Sequence, residues 1–206
     1  MRVDTLPIGK YEENIYVLHE DRHVLIIDPG MYAKRIAEKI EKDETVDAII
    51  LTHGHDDHTG AVDDLVDLYH CDVYIHPADK LLATMRGSAF SGGSETPIYS
   101  PVKDLVEGET DIGTFHLEIY STPGHTAGSI MIRYKNILFT GDTLFAGTVG
   151  RTDLFSGDET MMMHSLGKIR SMRADLTVYP GHGPSTTIAQ ERLVNPYLHM
   201  INAAYD

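Results

Sequence analysis

The stretch His53-Gly54-His55-Asp56-Asp57-His58 follows the apolar run Ala48-Ile49-Ile50-Leu51 and precedes an amphipathic segment. The apolar run predicts a buried strand, and the segment after it predicts a helix. Three histidines and two aspartates are therefore delivered at a strand-to-helix turn, where side chains can converge. Histidines at i and i+2 of a tight turn can bind one ion from the same side, and the following Asp-His pair suits a second ion. A solvated polar loop is the alternative, and it explains such a density of metal-binding side chains poorly.

The composition indicates a globular protein with an acidic surface. The 206 residues are 42% hydrophobic, and 17 Lys and Arg stand against 31 Asp and Glu, which gives a formal net charge of −14. At this length one domain, residues 1–206, is expected. Binding to nucleic acid or to an anionic membrane generally requires a basic patch, so neither partner is expected. A small anionic substrate remains compatible, because charges on distant surfaces are screened over about 8 Å at physiological salt.

The sequence shows no pattern for export or for disulfide chemistry. No N-terminal stretch has the basic start and apolar core of a signal peptide, and no apolar run approaches membrane length. A cytoplasmic protein is therefore expected. Cys71 is the single cysteine and has no partner for an intramolecular disulfide. Because it starts the apolar run 71–75, it is predicted to be a core residue rather than a nucleophile.

Hydrophobic periodicity predicts secondary structure along the whole sequence. Strands are predicted at residues 2–8, 14–19, 24–27, 48–52, 71–75, 115–120, 129–134, 136–140 and 176–179, and helices at residues 32–42, 59–70, 78–85, 159–172 and 186–193. This order predicts an α/β protein, an αββα sandwich of two mixed β-sheets with helices on the outer faces. The small, polar stretch 87–94 predicts a mobile loop, either a substrate lid or an ordinary surface excursion.

Three later turns repeat the design of the first, an apolar strand followed by a metal-binding side chain next to glycine. They are Thr122-Pro123-Gly124-His125, Phe139-Thr140-Gly141-Asp142 and Tyr179-Pro180-Gly181-His182. Each turn alone is weak evidence, but together they predict one common rim at the edge of the sandwich. The other seven histidines lack this context and are expected to be structural or on the surface. They are His19, His23, His70, His76, His116, His164 and His199.

The predicted ligands outnumber the positions of one tetrahedral site and fit two divalent ions that share a bridge. They are His53, His55, Asp57, His58, His125, Asp142 and His182. Asp142 is the natural bridging ligand, because a carboxylate has two oxygens whereas an imidazole offers one free lone pair. Two such ions with a bridging hydroxide would polarise a carbonyl or phosphoryl oxygen and hold hydroxide at neutral pH. Zinc is the expected metal, with iron and manganese as alternatives for this mixed donor set.

The motif His53-x-His55-x-Asp57-His58, with the three later donors, closely resembles that of the metallo-β-lactamase-fold hydrolases, over essentially the whole chain. The resemblance implies an αββα sandwich with a dinuclear site at the edges of the sheets. It assigns His53, His55 and His125 to the first ion, Asp57, His58 and His182 to the second, and Asp142 to both. Asp28, in the turn Ile27-Asp28-Pro29-Gly30, is implied to support the metal loops. The β-lactamases themselves fit poorly, since one major group has cysteine at the position of Asp142 and they are normally exported.

Within this superfamily, Gly150-Arg151-Thr152-Asp153 and the ending Tyr179-Pro180-Gly181-His182-Gly183-Pro184 resemble the small glyoxalase II-like thioesterase branch. That branch implies hydrolysis of S-2-hydroxyacylglutathione, such as S-lactoylglutathione, or of a related small-molecule acyl thioester. Full-length members add a helical C-terminal domain that helps to hold glutathione. This chain is expected to lack that domain, so glutathione as the thiol does not follow.

The mechanism expected from these residues is attack of the bridging hydroxide on the thioester carbonyl. Asp57 and Asp142 are predicted to be the catalytic carboxylates. The second ion, with Asp57 and His58, would stabilise the developing negative charge and the departing thiolate. Arg151 either binds a substrate carboxylate through its planar fork of donors, or pairs with Asp153 or Asp158 to order its own loop.

Three other functions compete with the thioesterase hypothesis. Persulfide dioxygenases resemble the chain in the same metal motif and carry a Gly-Arg-Thr-Asp segment, but they use one iron and oxygen. A phosphodiesterase or RNA-processing nuclease is disfavoured by the acidic balance and by the lack of a basic arm. A non-enzymatic metal-binding or redox-partner module would be expected to lack a ligand, whereas all seven positions are filled.

Overall fold

Two β-sheets carry most of the strands. The computed structural model describes residues 1–9 and 12–205, with side chains up to residue 201 in the last helix. In this part of the chain there are two six-stranded sheets and a two-stranded hairpin. The first sheet has the same order in space as in sequence, β1 (Arg2–Ile8), β2 (Glu13–Glu20), β3 (His23–Ile27), β4 (Thr45–Ile50), β5 (Asp72–Ile75) and β6 (Val102–Asp104).

The second sheet comes from the later part of the chain. Its strands are β7 (Gly108–Ile112), β8 (Phe115–Ser121), β9 (Ile130–Tyr134), β10 (Ile137–Gly141), β13 (Thr177–Pro180) and β14 (Thr186–Thr187), and the hairpin joins β11 (Leu144–Phe145) to β12 (Thr148–Val149). The spatial order is β14-β13-β10-β9-β8-β7. Each sheet is mixed, because β3 to β6 are parallel in the first and β10 is parallel to β13 in the second.

Both faces of the central strands, such as β2 and β10, are buried, because successive residues of a strand point to opposite faces and here both sets are buried. In β2, Tyr16 and Leu18 pack against the second sheet, and Ile15 and Val17 pack against helices. Phe115 of β8, which is fully buried, meets the first sheet from the other side. The layer between the sheets is therefore a continuous apolar core.

The helices lie outside the sheets. They are α1 (Ala33–Ala37), α2 (Asp56–Thr59), α3 (Val62–Tyr69), α4 (Lys80–Thr84), α5 (Glu159–Ser171), α6 (Ile188–Val194) and α7 (Pro196–Tyr205), and a 3₁₀ turn, Pro77–Asp79, precedes α4. Side chains of α1, α3 and α4 pack on the first sheet, and those of α5, α6 and α7 pack on the second. This layering confirms the predicted α/β class and αββα sandwich. None of the described helices is both long and apolar enough to cross a bilayer.

Two predicted helices differ in extent from the observed ones. The helix predicted at 59–70 begins earlier and is split into α2 and α3, because the N–H of Ala61 donates to the Pro29 carbonyl at 2.9 Å instead of continuing the helix. The helix predicted at 32–42 is confined to α1. Beyond it, Lys39 and Ile40 make only i to i−3 hydrogen bonds, which are typical of a tightened, ending turn.

The C-terminal helix prediction was incomplete. Residues 186–187 form a strand that pairs with β13, and the helix α6 starts only at Ile188. A further helix, α7, follows and was not predicted. Its signal was present, since Asn195 accepts a hydrogen bond from the N–H of Tyr197 at 3.1 Å and Pro196 occupies the first helical position.

Cys71 is half-buried beside the core of the first sheet. Burial raises the pKa of its thiol to about 11, so the thiolate is scarce at neutral pH. The structure thus favours the expected packing role over a nucleophilic one.

The strand directions bring the predicted metal-binding turns to one edge. The strands β8, β9 and β10 are successive antiparallel neighbours, and β10 is parallel to β13, so β8, β10 and β13 run the same way. The turns that follow these three strands therefore leave from the same edge. The turn after β4 joins them from the other sheet, because the N–H of Ile130 donates to the Thr52 carbonyl at 2.9 Å.

Candidate metal centre

Three buried histidines form a first group. His53 and His55 lie on the turn after β4, and His125 lies on the turn after β8. One nitrogen from each ring lies within 4.8 Å of the others. Nδ1 of His55 is 2.9 Å from Nε2 of His125, a distance that requires a proton or a cation between two lone pairs. The structure thus brings together the three side chains predicted for the first ion.

Asp57, His58 and His182 form a second group, also within 4.8 Å by one ligand atom each. Oδ2 of Asp57 is 3.5 Å from Nε2 of His182 and 3.9 Å from Nε2 of His58. His58 is fully buried, whereas Asp57 is 40% exposed at its side chain. The group therefore has a closed side at His58 and a side open to solvent at Asp57.

The carboxylate of Asp142 lies between the two groups. Its Oδ1 is 3.5 Å from Nε2 of His58, and its Oδ2 is 3.5 Å from Nε2 of His125 and 3.6 Å from Nε2 of His182. One oxygen thus contacts the second group alone, and the other contacts both groups. This is the position that a bridging ligand must occupy.

Asp28 fixes the first turn and one histidine ring. Its Oδ1 accepts from the N–H of Thr52 at 2.7 Å, and its Oδ2 accepts from the Thr52 hydroxyl at 2.6 Å and from Nδ1 of His58 at 3.0 Å. Asp28, His53 and His58 also satisfy a purely geometric test for a metal site. We assign Asp28 a supporting role instead, because its oxygens already accept three hydrogen bonds and it meets His58 through the nitrogen that faces away from Asp142.

Hydrogen bonds at Nδ1 set the tautomers of the other rings. Nδ1 of His53 is 3.1 Å from the Thr52 hydroxyl, whose proton goes to Asp28, so this nitrogen is the donor. Nδ1 of His125 donates to the carbonyl of Arg151 at 2.7 Å. With the proton on Nδ1, Nε2 carries the lone pair that a metal needs.

Two glycines allow the close approach of the later turns. Gly141 has a left-handed φ of 47° and packs against the Thr52 side chain, a backbone conformation that most other residues adopt at a cost. At Gly181 an added Cβ would lie 2.9 Å from Cε1 of His58 and closer still to Asp142. Both glycines are therefore required by the packing of the centre.

The pKa shifts describe a site built around positive charge. Burial and the neighbouring histidines lower the pKa of His53 and bring that of His55 to about 4, so both rings are neutral. Burial opposes the protonation of His58, but Asp142, Asp57 and Asp28 outweigh it and raise its pKa. Burial likewise opposes ionisation of Asp57, but His58 and His182 outweigh it and lower its pKa. The carboxylates thus attract a cation, which is either a proton or a metal.

Asp79 is a structural residue of the site that sequence analysis missed. It is fully buried in the 3₁₀ turn before α4. Its Oδ2 accepts from the N–H of Gly54 at 3.0 Å and from the Thr126 hydroxyl at 2.7 Å, and its Oδ1 accepts from the N–H of Gly128 at 2.7 Å. It thereby ties the turn of His53 and His55 to the turn of His125. Within the predicted helix 78–85 no signal distinguished it from a surface aspartate.

Glu13 was also missed. It is 3% exposed, neither carboxyl oxygen has a hydrogen-bond partner, and its Oε1 lies 4.0 Å from Nδ1 of His58. Burial, with smaller contributions from neighbouring carboxylates, raises its pKa to about 9 although His58 opposes the shift. The prediction started the second strand at Asn14, which left Glu13 in a loop, whereas the residue is the first of β2 and forms a bridge with His182.

The donor set fits a divalent metal. Nε2 of His53, Nε2 of His58 and Oδ1 of Asp142 are buried and have no hydrogen-bond partner. Unpaired buried polar atoms of this kind are costly unless they ligate an ion. Neutral imidazoles and carboxylates are ligands that suit zinc, iron and manganese.

Metal loading is expected to raise the midpoint of thermal unfolding, because ions that bind only the folded chain stabilise it by mass action. At a free metal concentration 100 times Kd the gain is about 2.7 kcal/mol. Melting curves with chelator and with Zn²⁺ or Fe²⁺ check this. The His125→Ala variant should lose much of the shift, whereas His164→Ala, at an exposed position on α5, should keep it. Equal shifts in both variants would contradict the assignment.

A cleft of about 770 Å³ opens beside the centre. Near the centre the cleft is lined by His55, Asp56, Asp57, His125, Asp142 and His182. Its outer part is lined by Phe90, Phe145, Leu154 and Arg151, by Ser88 and Ala89 of the polar stretch, and by Glu95. The stretch 87–94 therefore contributes to the wall of the cleft.

Arg151 lines the cleft and also makes an ion pair. Its Nε donates to Oδ1 of Asp153 at 2.6 Å, and its Nη2 donates to Oδ2 at 2.8 Å. Of the two alternatives from the sequence, the structure shows pairing with Asp153. The guanidinium is more than half exposed, so this ion pair is weak and can exchange partners.

The seven other histidines lie outside the clusters that could hold a metal, as far as the described residues go. Several have evident structural roles. His19 pairs with Glu44 and His23 with Asp47, each at 2.7 Å, and Nδ1 of His76 caps the 3₁₀ turn. This placement agrees with the expectation that they are structural or on the surface.

Comparison with known proteins decides the family. The model of the metallo-beta-lactamase superfamily matches residues 8–182. The chain belongs to the metallo-β-lactamase superfamily. Membership explains the common edge of the metal-binding turns, since the matched span covers all seven predicted ligands.

Two curated relatives in this superfamily match nearly end to end. A probable metallo-hydrolase, YqgX of Bacillus subtilis, is 38% identical, and the alignment covers 97% of this chain and 98% of the relative. The hydroxyacylglutathione hydrolase GloC of Haemophilus influenzae is 34% identical, with 97% and 99% covered. The chain is therefore similar to a probable metallo-hydrolase and to a hydroxyacylglutathione hydrolase over nearly its whole length.

Solved structures of the superfamily superpose closely. The B3 metallo-β-lactamase BLEG-1 is 37% identical with a TM-score of 0.88, covering 96% of this chain and 99% of that one. TTHA1623, solved in a di-iron-bound form, is 33% identical with a TM-score of 0.83, covering 95% and 100%. ETHE1 from Myxococcus xanthus is 22% identical, with a TM-score of 0.77 and 100% and 92% covered, and shows the shared fold. The likeness to BLEG-1 runs against the expectation that the β-lactamases themselves fit this chain poorly.

Proposed function

We propose that this protein is a metal-dependent thioester hydrolase that acts on S-2-hydroxyacylglutathione, such as S-lactoylglutathione, or on a related acyl thioester. The observation that carries the proposal is the position of Asp142. Its carboxylate lies between two His/Asp groups at the inner end of a cleft that can hold a small molecule. The similarity to GloC supports the thioester as the bond that is cleaved.

The residues fit two divalent ions, for which we propose zinc, with iron or manganese as alternatives. His53, His55 and His125 would hold one, Asp57, His58 and His182 the other, and Asp142 both. When bound, such ions supply Lewis acidity and lower the pKa of coordinated water from 15.7 to about 7. The di-iron form of TTHA1623 supports a site for two ions and keeps iron as a candidate.

The residues of the chain prepare the site for hydrolysis of the acyl carbon–sulfur bond. In the balanced reaction a water oxygen bonds to the acyl carbon, the bond to sulfur breaks, and the thiolate takes up one proton. Asp57 is held ionised at the border of the cleft, and Asp142 lies beside it, so we propose both as the catalytic carboxylates. Phe90, Phe145 and Leu154 line the outer cleft and reduce access of bulk water to the reacting carbonyl.

The partner that we propose is a small molecule. The cleft is concave, with apolar walls and a few polar groups, as small-molecule sites usually are. Nucleic acid and membranes are not proposed as partners, because the formal net charge of −14 opposes anionic polymers and surfaces. We further propose that the protein acts in the cytoplasm.

Two other reactions are alternatives that the test must distinguish from thioester hydrolysis. The similarity to BLEG-1 makes β-lactam hydrolysis the second candidate, since that reaction also opens an acyl bond. Persulfide oxidation has weaker support, because ETHE1 at 22% identity shares only the fold.

The proposal is tested by metal analysis followed by a panel of substrates on the metal-loaded protein. Release of free thiol from S-lactoylglutathione or another acyl thioester is expected, with two ions per chain and no oxygen uptake. One iron per chain with oxygen consumption on a thiol persulfide would overturn it. A β-lactam turned over faster than every thioester would replace it with the second candidate.

A further inference from the structure

Asp56 lies in the metal loop, residues 53–58, but its carboxylate accepts hydrogen bonds from another loop, whereas its neighbours are candidate metal ligands. The clusters able to hold a metal include His55 and Asp57 and do not include Asp56, as far as the described residues go. Its Oδ1 accepts from the hydroxyl of Ser94 and from the N–H and hydroxyl of Thr96, at 3.4 and 3.3 Å. Its Oδ2 accepts from the N–H of Glu95 at 3.1 Å. One carboxylate thus receives four hydrogen bonds from three successive residues.

These hydrogen bonds hold one end of the wall segment, which we define as residues 86–96. The segment is also closed on itself, because the N–H of Gly87 donates to the Ser94 carbonyl at 2.8 Å. At its tip the N–H of Phe155 donates to the Ala89 carbonyl at 3.0 Å, and the Phe155 ring lies against Gly92, where no Cβ would fit. The wall segment is therefore fixed at its C-terminal end and at its tip, and its residues in the cleft keep a defined position relative to the metal loop.

The outer cleft offers little positive charge to a substrate. Glu95 contributes a negative charge from the wall segment, and Phe90 contributes an exposed aromatic ring. Apart from histidines, Arg151 is the one basic side chain among the described residues that line the cleft, and it shares its charge with Asp153 in an exposed ion pair. A substrate group with carboxylates would be repelled by Glu95 and would compete with Asp153 for the guanidinium of Arg151. A neutral group would instead pack against Phe90, Phe145 and Leu154.

We infer that the wall segment, clamped to the metal loop by Asp56, selects the part of the thioester remote from the reacting carbonyl and favours a group without negative charge there. This inference rests on the proposed function and narrows its substrate class. A 2-hydroxyacyl group is small, so the large remote part is the thiol. Glutathione carries two carboxylates and one ammonium group, so its thioester is a poor electrostatic match. The matching class is the acyl thioester of a neutral or cationic thiol.

The test compares S-lactoylglutathione with its diethyl ester, which has the same skeleton but no carboxylates. Thiol release by the metal-loaded protein is expected to show a kcat/KM about fivefold or more higher for the diester, because charges in one cleft interact at short range with little screening. Asp56→Asn is expected to reduce this preference below about twofold, mainly through a higher KM, since the wall segment loses its anchor. The metal content of Asp56→Asn should equal that of wild type, and in Thr96→Val the kcat for the small thioester S-lactoyl-N-acetylcysteamine should stay within about twofold of wild type.

Two further variants distinguish the loss of the Asp56 hydrogen bonds to the wall segment from a general loss of stability. Asp63→Asn changes an aspartate that accepts in the same way from the N–H groups of Tyr99 and Ser100, which lie outside the cleft lining, and the preference should persist. Thr96→Val removes one donor, the Thr96 hydroxyl, and leaves the metal loop unchanged, so it should reproduce part of the effect of Asp56→Asn. A wild-type preference for S-lactoylglutathione, or an unchanged preference in Asp56→Asn, would overturn the inference.

A binding measurement makes the result independent of turnover. S-Butylglutathione and its diethyl ester contain no thioester bond, and calorimetry with metal-loaded protein reports their affinities directly. Tighter binding of the diester, lost in Asp56→Asn, supports the inference even where no thioester is cleaved, and equal or reversed affinities overturn it. Failure of all thioesters in the activity assay would instead count against the proposed function.

Discussion

Asp142→Ala is expected to lower thioester hydrolysis below a tenth of the wild-type rate, with a loss of about 10²–10³-fold, as is typical when one preorganised electrostatic group is removed. Asp142 is the carboxylate that contacts both metal-binding groups, at 3.5 Å from His58 and His125 and 3.6 Å from His182. Alanine leaves both groups without the shared ligand. The expected metal content therefore falls from two ions per chain toward one.

The measurement combines kcat/KM for the best thioester with elemental analysis of the same sample. The fold is expected to survive, because the Asp142 side chain contacts histidines of the site and takes no part in the apolar clusters. Asp111→Ala is the control, since it removes an equal charge at an exposed carboxylate paired with His116. More than a tenth of wild-type activity in Asp142→Ala would count against the bridging assignment.

Asp28→Asn is expected to weaken metal binding or activity by about 10- to 100-fold, the usual effect of removing a partner that orients a metal ligand. The carboxylate of Asp28 accepts three hydrogen bonds, from the N–H and hydroxyl of Thr52 and from Nδ1 of His58. An amide has one oxygen and presents an NH₂ group to these donors, so at least one buried donor loses its partner. That loss is expected to cost about 1–3 kcal/mol of unfolding free energy as well.

Metal affinity by competition with a chelator, and the Nδ1–H signal of His58 by NMR, report the effect directly. Asp47→Asn is the matched control, because Asp47 also accepts from a histidine and from a backbone N–H, those of His23 and Thr114, far from the centre. It should reduce stability and leave metal affinity unchanged. An unaltered affinity in Asp28→Asn would show that Asp28 serves the fold alone.

The fold class could be predicted from the sequence, because the spacing of apolar residues along a strand or helix indicates which side chains are buried. A strand was predicted at residues 14–19, and the structure places its two alternating pairs, Ile15 with Val17 and Tyr16 with Leu18, in different layers. Errors arose where a distant contact ended an element. Ala61 leaves the helix to bond with the Pro29 carbonyl, and no pattern within residues 59–70 encodes that partner.

The ligand types of the candidate centre were also readable in the sequence, since the glycine-framed turns repeat one design. Their supporting residues were not. Asp79 and Glu13 lie far in sequence from the residues that they serve, and each resembles an ordinary acidic residue in its local context. Asp56 was visible as part of the motif, but its hydrogen bonds to residues 94–96 appear only once the chain has folded back.

The sequence by itself predicted most of the element types and the seven candidate metal ligands. The tertiary structure alone decided that Asp142 lies between the two groups, that Asp28 and Asp79 fix their turns, and that Asp56 holds the wall of the cleft. The physical reason is the separation along the chain of the residues that interact. Periodicity and turn chemistry act between near neighbours in the chain, whereas these contacts depend on strand order and on the packing of two sheets.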